Sequence, residues 1–308
     1  MEESCNGEWN VIELDGSIYT EMLKHLGVFG VKVEEIYSLD ESTFTNLHPI
    51  YGLVFFYKWR PGQFVDGSIG KPIEGMFFAQ QVIANTCGTQ AIINLVLNIT
   101  DENVDIGKIL EDLKTTTSFF DPASCGLSLG NNDTIREIHN SFGKQQFFDN
   151  EYIPQNEKEE VLQYVTFVPF KGRIYELDGL REAPIDHGDY DIVNGWLPVV
   201  VECLKKRIKA YSEGEINFYI MAVCGDRLQK LEKDLDILKS TIGEDNGRQI
   251  MELEREAQGE FEKREILRKE NVRRSFNYVP FLTEFLKVLG RDRKLLPLIE
   301  QEIRKQST

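Results

Sequence analysis

The sequence predicts a mixed α/β (α+β) domain at residues 7–225, followed by an all-helical extension at residues 226–308. Before about Cys224, short segments rich in β-branched and aromatic residues alternate with helix-periodic segments, as is typical of a mixed domain. After Gly225 the chain becomes densely charged and helix-periodic throughout. A length of 308 residues and a hydrophobic content of 41% suit one large domain with an appendage.

Four segments of the first domain predict β-strands, because they are rich in β-branched and aromatic residues and too short for typical helices. They are residues 51–57, 164–169, 174–177 and 216–223. Apolar periodicity and capping residues predict helices at residues 19–26, 76–83, 88–97, 133–142 and 198–211. The loop at 170–173 is short and contains a turn glycine, so the strands on either side of it predict a β-hairpin.

The extension begins with a short heptad seam. Its apolar positions recur at spacings of three and four: Leu228, Leu231, Leu235, Leu238 and Ile242. Residues 243–247 interrupt the pattern, a second helix is predicted at about 248–274, and a third runs from about 276 to 305 with its own apolar face. Two interpretations stay open for these faces: an antiparallel helical hairpin that covers its own seam, or a docking surface for a partner helix.

Charge and cysteine usage exclude several classes of function. The chain has 51 acidic and 35 basic residues, a net charge of −16 and a pI of about 4.8, which disfavours nucleic acid and anionic membranes and favours a basic protein or peptide partner. Neither a secretory leader nor a membrane-spanning segment is expected from the apolar pattern. The cysteines are unclustered and odd in number, which predicts no disulfide framework, no zinc site and a reducing cytosolic or nuclear compartment: Cys5, Cys87, Cys125, Cys203 and Cys224.

Cys87 is the candidate nucleophile. Asn85 and Thr86 are cap-type residues, and an apolar helical pattern resumes after Gly88, so Cys87 is predicted at a helix amino terminus. Unpaired N–H groups and the helix dipole there favour a thiolate and lower the thiol pKa. Gln81, six residues earlier, has an amide suited to an oxyanion hole. The competing interpretation is a cysteine buried by packing.

The predicted hairpin supplies the other half of a site. Pairing across its loop brings position 163 near Asp178, within a residue or two of register. Asp178 is then a plausible orienting carboxylate, although a turn residue before Gly179 is the simpler interpretation. A base belongs at the start of the partner strand, and Gln163 occupies that place.

These residues resemble the signature of ubiquitin carboxyl-terminal hydrolases. The match consists of Gln81 with Cys87 and of residues 164–180, which read YVTFVPFKGRIYELDGL. Residues 273–281 (RRSFNYVPF) and 294–300 (KLLPLIE) are similar to the helical extension of the proteasome-associated members. The resemblance implies a papain-like cysteine peptidase architecture with a central antiparallel-rich sheet flanked by helices, and no cofactor.

The family resemblance also implies roles for individual residues: Cys87 as nucleophile, Gln81 as oxyanion-hole donor, Asp178 as the orienting carboxylate, and residues 147–160 as a loop crossing over the site. Where the family has its catalytic histidine, this chain has Gln163, and an amide accepts no proton to become a cation. The sequence gives no clear substitute base. His25, His48 and His139 are expected to be surface or packing residues, and His187, between Asp186 and Asp189, a solvated turn rather than a metal ligand.

Three functions follow from these observations. The first is a cysteine-type deubiquitinase that attacks the carbonyl of ubiquitin's terminal glycine, forms an acyl-enzyme and hydrolyses it. The second is a catalytically dead ubiquitin-binding module, favoured by Gln163. The third, which the resemblance implies and which is compatible with both, makes the extension an adaptor for the proteasome's ubiquitin receptor or a chromatin-remodelling complex. Cytoplasmic and nuclear localisation is expected.

Overall fold

A computed structural model describes residues 8–45, 47–58, 67–143, 162–209, 218–240 and 247–306. The strands are β1 Val31–Glu35, β2 Ile50–Lys58, β3 Ser68–Ile69, β4 Leu162–Phe170, β5 Arg173–Asp178, β6 Ile185–Asp189 and β7 Phe218–Gly225. The helices are α1 Gly16–His25, α2 Glu41–Thr45, α3 Cys87–Val96, α4 Gly107–Thr116, α5 Pro122–Gly130, α6 Asp133–Ser141, α7 Leu197–Lys209, α8 Arg227–Ser240, α9 Gly247–Ser275, α10 Val279–Arg291 and α11 Leu295–Gln306.

One sheet organises the first domain. Its strand order is β1-β7-β2-β4-β5-β6-β3, and every pair of neighbours is antiparallel. The predicted hairpin is confirmed: β4 pairs with β5 through Val165 and Asp178, and its turn residues Lys171 and Gly172 have φ angles of 47° and 80°. Positive φ at both central residues matches the right-handed twist of the flanking strands. The predicted mixed α/β fold with a helical extension is confirmed.

Side chains alternate between two apolar layers along the central strands. In β4, Val165 and Phe167 pack in the layer that contains α7, whereas Val168 and Phe170 pack in the layer that contains α1 and α3. Thr166, on the second side, donates to the carbonyl of Ala91 in α3 at 3.1 Å. Odd-numbered positions of β4 therefore face α7, and even-numbered positions face α3.

The predicted helix at residues 76–83 is wrong, since this stretch is irregular. Side-chain amides on α3 satisfy its backbone groups instead of a helical ladder. Asn98 bonds both the N–H and the carbonyl of Phe77, at 2.9 and 2.7 Å, and Asn94 bonds those of Ala79, at 2.8 and 3.0 Å. An extended backbone paired with a row of amides has no need of a helix's own hydrogen bonds.

The extension is held to the core by α8 and α9. Leu228, Leu231 and Leu235 of the predicted seam are buried against α9, so a helical pair covers this seam. Ile242 and most of residues 243–247 lie outside the described residues. The α9 helix also reaches α1, where Arg274 pairs with Asp15.

The single third helix predicted for residues 276–305 is wrong, because the chain there forms α10 and α11. Arg293 lies between them with a φ of 56°, a left-handed conformation that ends a helix. Among the described residues, large apolar side chains of these two helices are exposed, including Phe281, Phe285, Leu286, Leu298 and Ile299. No helix in the described segments is long and apolar enough to cross a membrane.

Candidate active site

Cys87 is the first residue of α3, as predicted. The turn before it is tight: Asn85 has a φ of 63°, and the hydroxyl of Thr86 donates to the carbonyl of Ile83 at 2.8 Å. Thr86 occupies the cap position without the expected side-chain bond to the helix. Cys87 as a whole residue is half-buried.

The prediction of a lowered thiol pKa at Cys87 is wrong. Burial raises the pKa of this thiol above its ordinary value, although the backbone N–H groups of Gly88 and Cys87 bond the sulfur and oppose the rise. Desolvation disfavours the charged sulfur by more than the helix start favours it. The thiol is therefore largely protonated at neutral pH.

Gln81 is held against the end of β5. Its backbone N–H donates to the carbonyl of Gly179 at 2.7 Å. A Cβ on Gly179 would lie only 3.1 Å from the Cβ of Gln81 and 3.4 Å from the Nε2 of Gln90, in the first turn of α3. The segment before Cys87, the start of α3 and the residue after Asp178 are thereby packed together.

Asp178 and Gln163 form a buried polar pair, 3% and 4% exposed. The Nε2 of Gln163 donates to Asp178 Oδ1 at 2.5 Å, and the Oε1 of Gln163 accepts from the hydroxyl of Tyr57 at 3.1 Å. Leu180 N–H donates to the same carboxylate oxygen at 2.9 Å. Burial raises the pKa of Asp178. Both ends of the glutamine amide are thus engaged, and the hydroxyl donor fixes its orientation.

Tyr57 is a residue of this cluster that the sequence did not predict. It lies on β2, 106 positions from Gln163, and reaches it because β2 pairs with β4 through these two residues. Alternation along β2 is the one signal that points to it, since odd-numbered residues of that strand share a face. The pairing of β2 with β4 cannot be read from either strand alone.

The expectation that His187 lies in a solvated turn is wrong. It belongs to β6, and its Nε2 lies 2.8 Å from the carboxylate of Glu176, which is 1% exposed. Arg207 of α7 bonds both oxygens of that carboxylate, at 2.8 and 2.5 Å. A buried carboxylate needs such partners to stay ionised, and together they lower the pKa of Glu176 although burial opposes them.

His139, expected to be a surface or packing residue, is fully buried next to the start of α3. Its Nε2 lies 2.7 Å from the carbonyl of Asn10, and its Nδ1 lies 2.7 Å from the hydroxyl of Thr89. A carbonyl only accepts, so Nε2 carries the proton and Nδ1 accepts from Thr89. Burial lowers the pKa of His139 to about 4.

The predictions about a metal site and a crossover loop concern residues that the structure describes only in part. Within the segments that the structure describes, no group of three or more His, Cys, Asp or Glu side chains is arranged to hold a metal ion. The predicted crossover loop at residues 147–160 lies outside the described residues, as does Cys5.

The site thus contains three parts: the thiol of Cys87 at the start of α3, the backbone segment at Gln81, and the buried carboxylate of Asp178 at the end of β5. A thiol placed in this way is suited to attack a carbonyl, with N–H groups of the helix start close by for the resulting oxyanion. The proton-accepting group of such a site is missing from position 163, because an amide does not accept a proton in this pH range.

Comparison with known proteins gives family matches over most of the chain. Residues 9–209 match the ubiquitin carboxyl-terminal hydrolase family 1, and residues 250–295 match the family's carboxyl-terminal region. The ubiquitin carboxyl-terminal hydrolase ubh-4 of Caenorhabditis elegans is 39% identical over 295 residues, which cover 96% of this chain and 91% of that protein. Isozyme L5 of Dictyostelium discoideum is 34% identical over 334 residues, with coverage of 97% and 96%.

A solved structure shows the same fold. The crystal structure of Trichinella spiralis UCH37 bound to ubiquitin vinyl methyl ester is 36% identical, covers 84% of this chain and 99% of that one, and has a TM-score of 0.71. The chain therefore belongs to the ubiquitin carboxyl-terminal hydrolases, a family of cysteine-type deubiquitinases.

Proposed function

We propose that this chain binds the carboxyl-terminal tail of ubiquitin and presents the sulfur of Cys87 to its last carbonyl. Gln81 donates to the oxyanion, and Asp178 orients residue 163. The observation on which the proposal depends is the position of Cys87 at the start of α3, half-buried and next to the strand that ends at Asp178. The net charge of −16 suits a basic tail.

Turnover is limited by Gln163. Attack by a thiol requires that its proton leave the sulfur and that a proton reach the departing amine. The amide of Gln163 is bonded to Asp178 and Tyr57 and does neither. This favours, as a second candidate function, a ubiquitin-binding module that retains recognition with little hydrolysis.

Covalent capture separates the two candidates. We expect ubiquitin vinyl methyl ester, whose electrophile replaces the terminal carbonyl, to form one adduct with this chain, and Cys87→Ala to abolish it. Intact mass spectrometry measures the adduct. Cys125→Ala is the matched control, because Cys125 is a buried residue of α5 and should not affect capture.

The outcomes differ in meaning. An adduct at Cys87 supports a nucleophile that has kept its reactivity. Binding of ubiquitin without an adduct, measured by calorimetry, favours the binding module. Absence of both adduct and binding would refute recognition of ubiquitin by this chain.

We further propose that α10 and α11 dock this chain onto the proteasome's ubiquitin receptor, or onto a chromatin-remodelling complex, in the cytoplasm and nucleus. The support is the exposed apolar face: Phe281 is 62% exposed and Phe285 49%. An apolar face left open on an amphipathic helix fits a partner helix or groove.

A charged substitution on the exposed apolar face of α10 tests this docking. We expect Phe285→Glu to weaken binding to the purified ubiquitin receptor at least tenfold, since a buried unpaired carboxylate is costly. Met251→Glu is the control: Met251 is 71% exposed on α9, outside α10 and α11. Equal binding by both variants and the unchanged chain contradicts the proposed docking face.

A further inference from the structure

Two tyrosine hydroxyls lie beside Cys87, and the proposed function does not use them. Tyr19 of α1 is 1% exposed and Tyr164 of β4 is half-buried. Their hydroxyl groups are hydrogen-bonded to each other, and both interact electrostatically with Cys87. We call them the tyrosine pair.

Gly88, the residue after Cys87, makes room for this pair. A Cβ at position 88 would lie 2.0 Å from the hydroxyl oxygen of Tyr19 and 3.3 Å from the ring of Tyr164. Contacts below 3.0 Å do not occur between real atoms of this kind, so any larger residue would displace the hydroxyl. Gly88 thereby leaves space for a hydroxyl group at the first turn of the helix that begins with Cys87.

The alternation of β4 places Tyr164 on the face that packs against α3. Thr166 donates to Ala91 of α3, and Tyr164 is two positions earlier on the same face. Gln163, one position before Tyr164, has its amide bonded to Tyr57 and Asp178 at the start of the strand. Tyr164 of β4 and Tyr19 of α1 thus both lie at the first turn of α3, next to Gly88.

Both phenols keep their protons. Burial raises the pKa of Tyr19 and of Tyr164 above the ordinary value of tyrosine, so neither serves as a base near neutral pH. A protonated phenol is a donor, and donation to an anion is stronger than donation to a neutral acceptor. A buried sulfur that must become an anion is the acceptor such a donor would stabilise.

We propose that the tyrosine pair stabilises the sulfur anion of Cys87 by hydrogen bonding, in a chain where residue 163 supplies no imidazolium. The inference rests on the proposed function of Cys87 as nucleophile. The thiol proton leaves to water, and the sulfur adds to the carbonyl carbon as its C=O π bond opens to an oxyanion. When the oxyanion collapses, the amine leaves with a proton from water, and the phenols retain their protons throughout. The pair acts as a positioning and charge-stabilising group rather than as a base.

Alkylation of the full-length chain by iodoacetamide tests this without ubiquitin. The sulfur displaces iodide, and peptide mass spectrometry follows the modification of Cys87 across pH. We expect Tyr19→Phe or Tyr164→Phe to slow alkylation about tenfold at pH 7 and to move the pH midpoint of the reaction upward, because a hydrogen bond to the anion is lost. Tyr51→Phe is the matched control: Tyr51 bonds Asp101, beyond the opposite end of α3, and should leave the rate unchanged.

Stability measurements show whether each variant is folded, so that slower alkylation is not mistaken for unfolding. Gly88→Ala alone should lower Tm, and adding Tyr19→Phe should restore part of the loss, because the clashing oxygen is then absent. Slower alkylation with an upward midpoint in either phenylalanine variant supports the proposal. Unchanged profiles in both folded variants would overturn it, whether or not ubiquitin is captured, so this failure is distinct from failure of the proposed function.

Discussion

A Gln163→His variant is expected to hydrolyse a fluorogenic ubiquitin amide about 10² to 10⁴ times faster than this chain, the range that general acid–base catalysis contributes. The imidazole Nδ1–H would donate to Asp178, as the amide of Gln163 does now at 2.5 Å. Its Nε2 is then an acceptor for the thiol proton. The imidazolium that forms would offset the cost of a charged sulfur in this buried site.

Two further variants sharpen this result. Gln163→Asn keeps an amide and supplies no base, so it should show no gain. The hydroxyl of Tyr57, which now donates to residue 163 at 3.1 Å, would compete for Nε2. Gln163→His combined with Tyr57→Phe should therefore be at least as active as Gln163→His alone. If this chain already matches the rate of the histidine variant, the assignment of position 163 to the base is wrong.

Stability is expected to fall as pH decreases from about 6.5 to 4, because of His139. Its pKa is lowered from 6.5 to about 4 in the folded chain, so in this window the unfolded chain binds a proton that the folded chain does not. The contribution is fully present above pH 6.5 and is lost as pH falls toward 4, by about 3 kcal/mol in total. Protonation would place a second N–H opposite the hydroxyl of Thr89 in a buried site.

Urea unfolding at pH 7 and pH 5 measures this effect. The decrease in the free energy of unfolding between the two values should be about 2 kcal/mol smaller in His139→Gln than in the unchanged chain. Asn140→Ala is the matched control: its side chain bonds the same segment through Asn10 and does not titrate. It should lose stability equally at both pH values. An unaltered pH dependence in His139→Gln would show that this imidazole does not titrate as expected.

The hairpin and the helix start could be predicted because their signals are local. Strand alternation and a turn glycine set the pairing of Val165 with Asp178, and cap-type residues set the start of α3 at Cys87. The irregular path of residues 76–83 was not predictable from its own residues, since Asn94 and Asn98 satisfy its backbone from another element. A run with helical apolar spacing gives no sign of such partners.

Burial is a second property that the spacing of residues in the sequence does not reveal. The helix start alone predicts a lowered thiol pKa for Cys87, whereas desolvation by the surrounding layer raises it. Glycine and aspartate around His187 predict a turn, whereas its hydrogen-bond partner, Glu176, lies on the neighbouring strand. The pKa of a group depends on which layers of the fold bury it, and burial is a property of the assembled sheet.

The amides of α3 that grip residues 77–79 bear on how this family can diversify. Asn94 and Asn98 bond backbone groups, so these hydrogen bonds do not depend on which side chains residues 77–79 carry. The side chains of that stretch are constrained in another way, because Phe77, Phe78 and Ala79 are buried in the core and a replacement there must conserve volume. A saturation library across both stretches should accordingly accept apolar residues of similar size at 77–79 and reject most residues at the two asparagines.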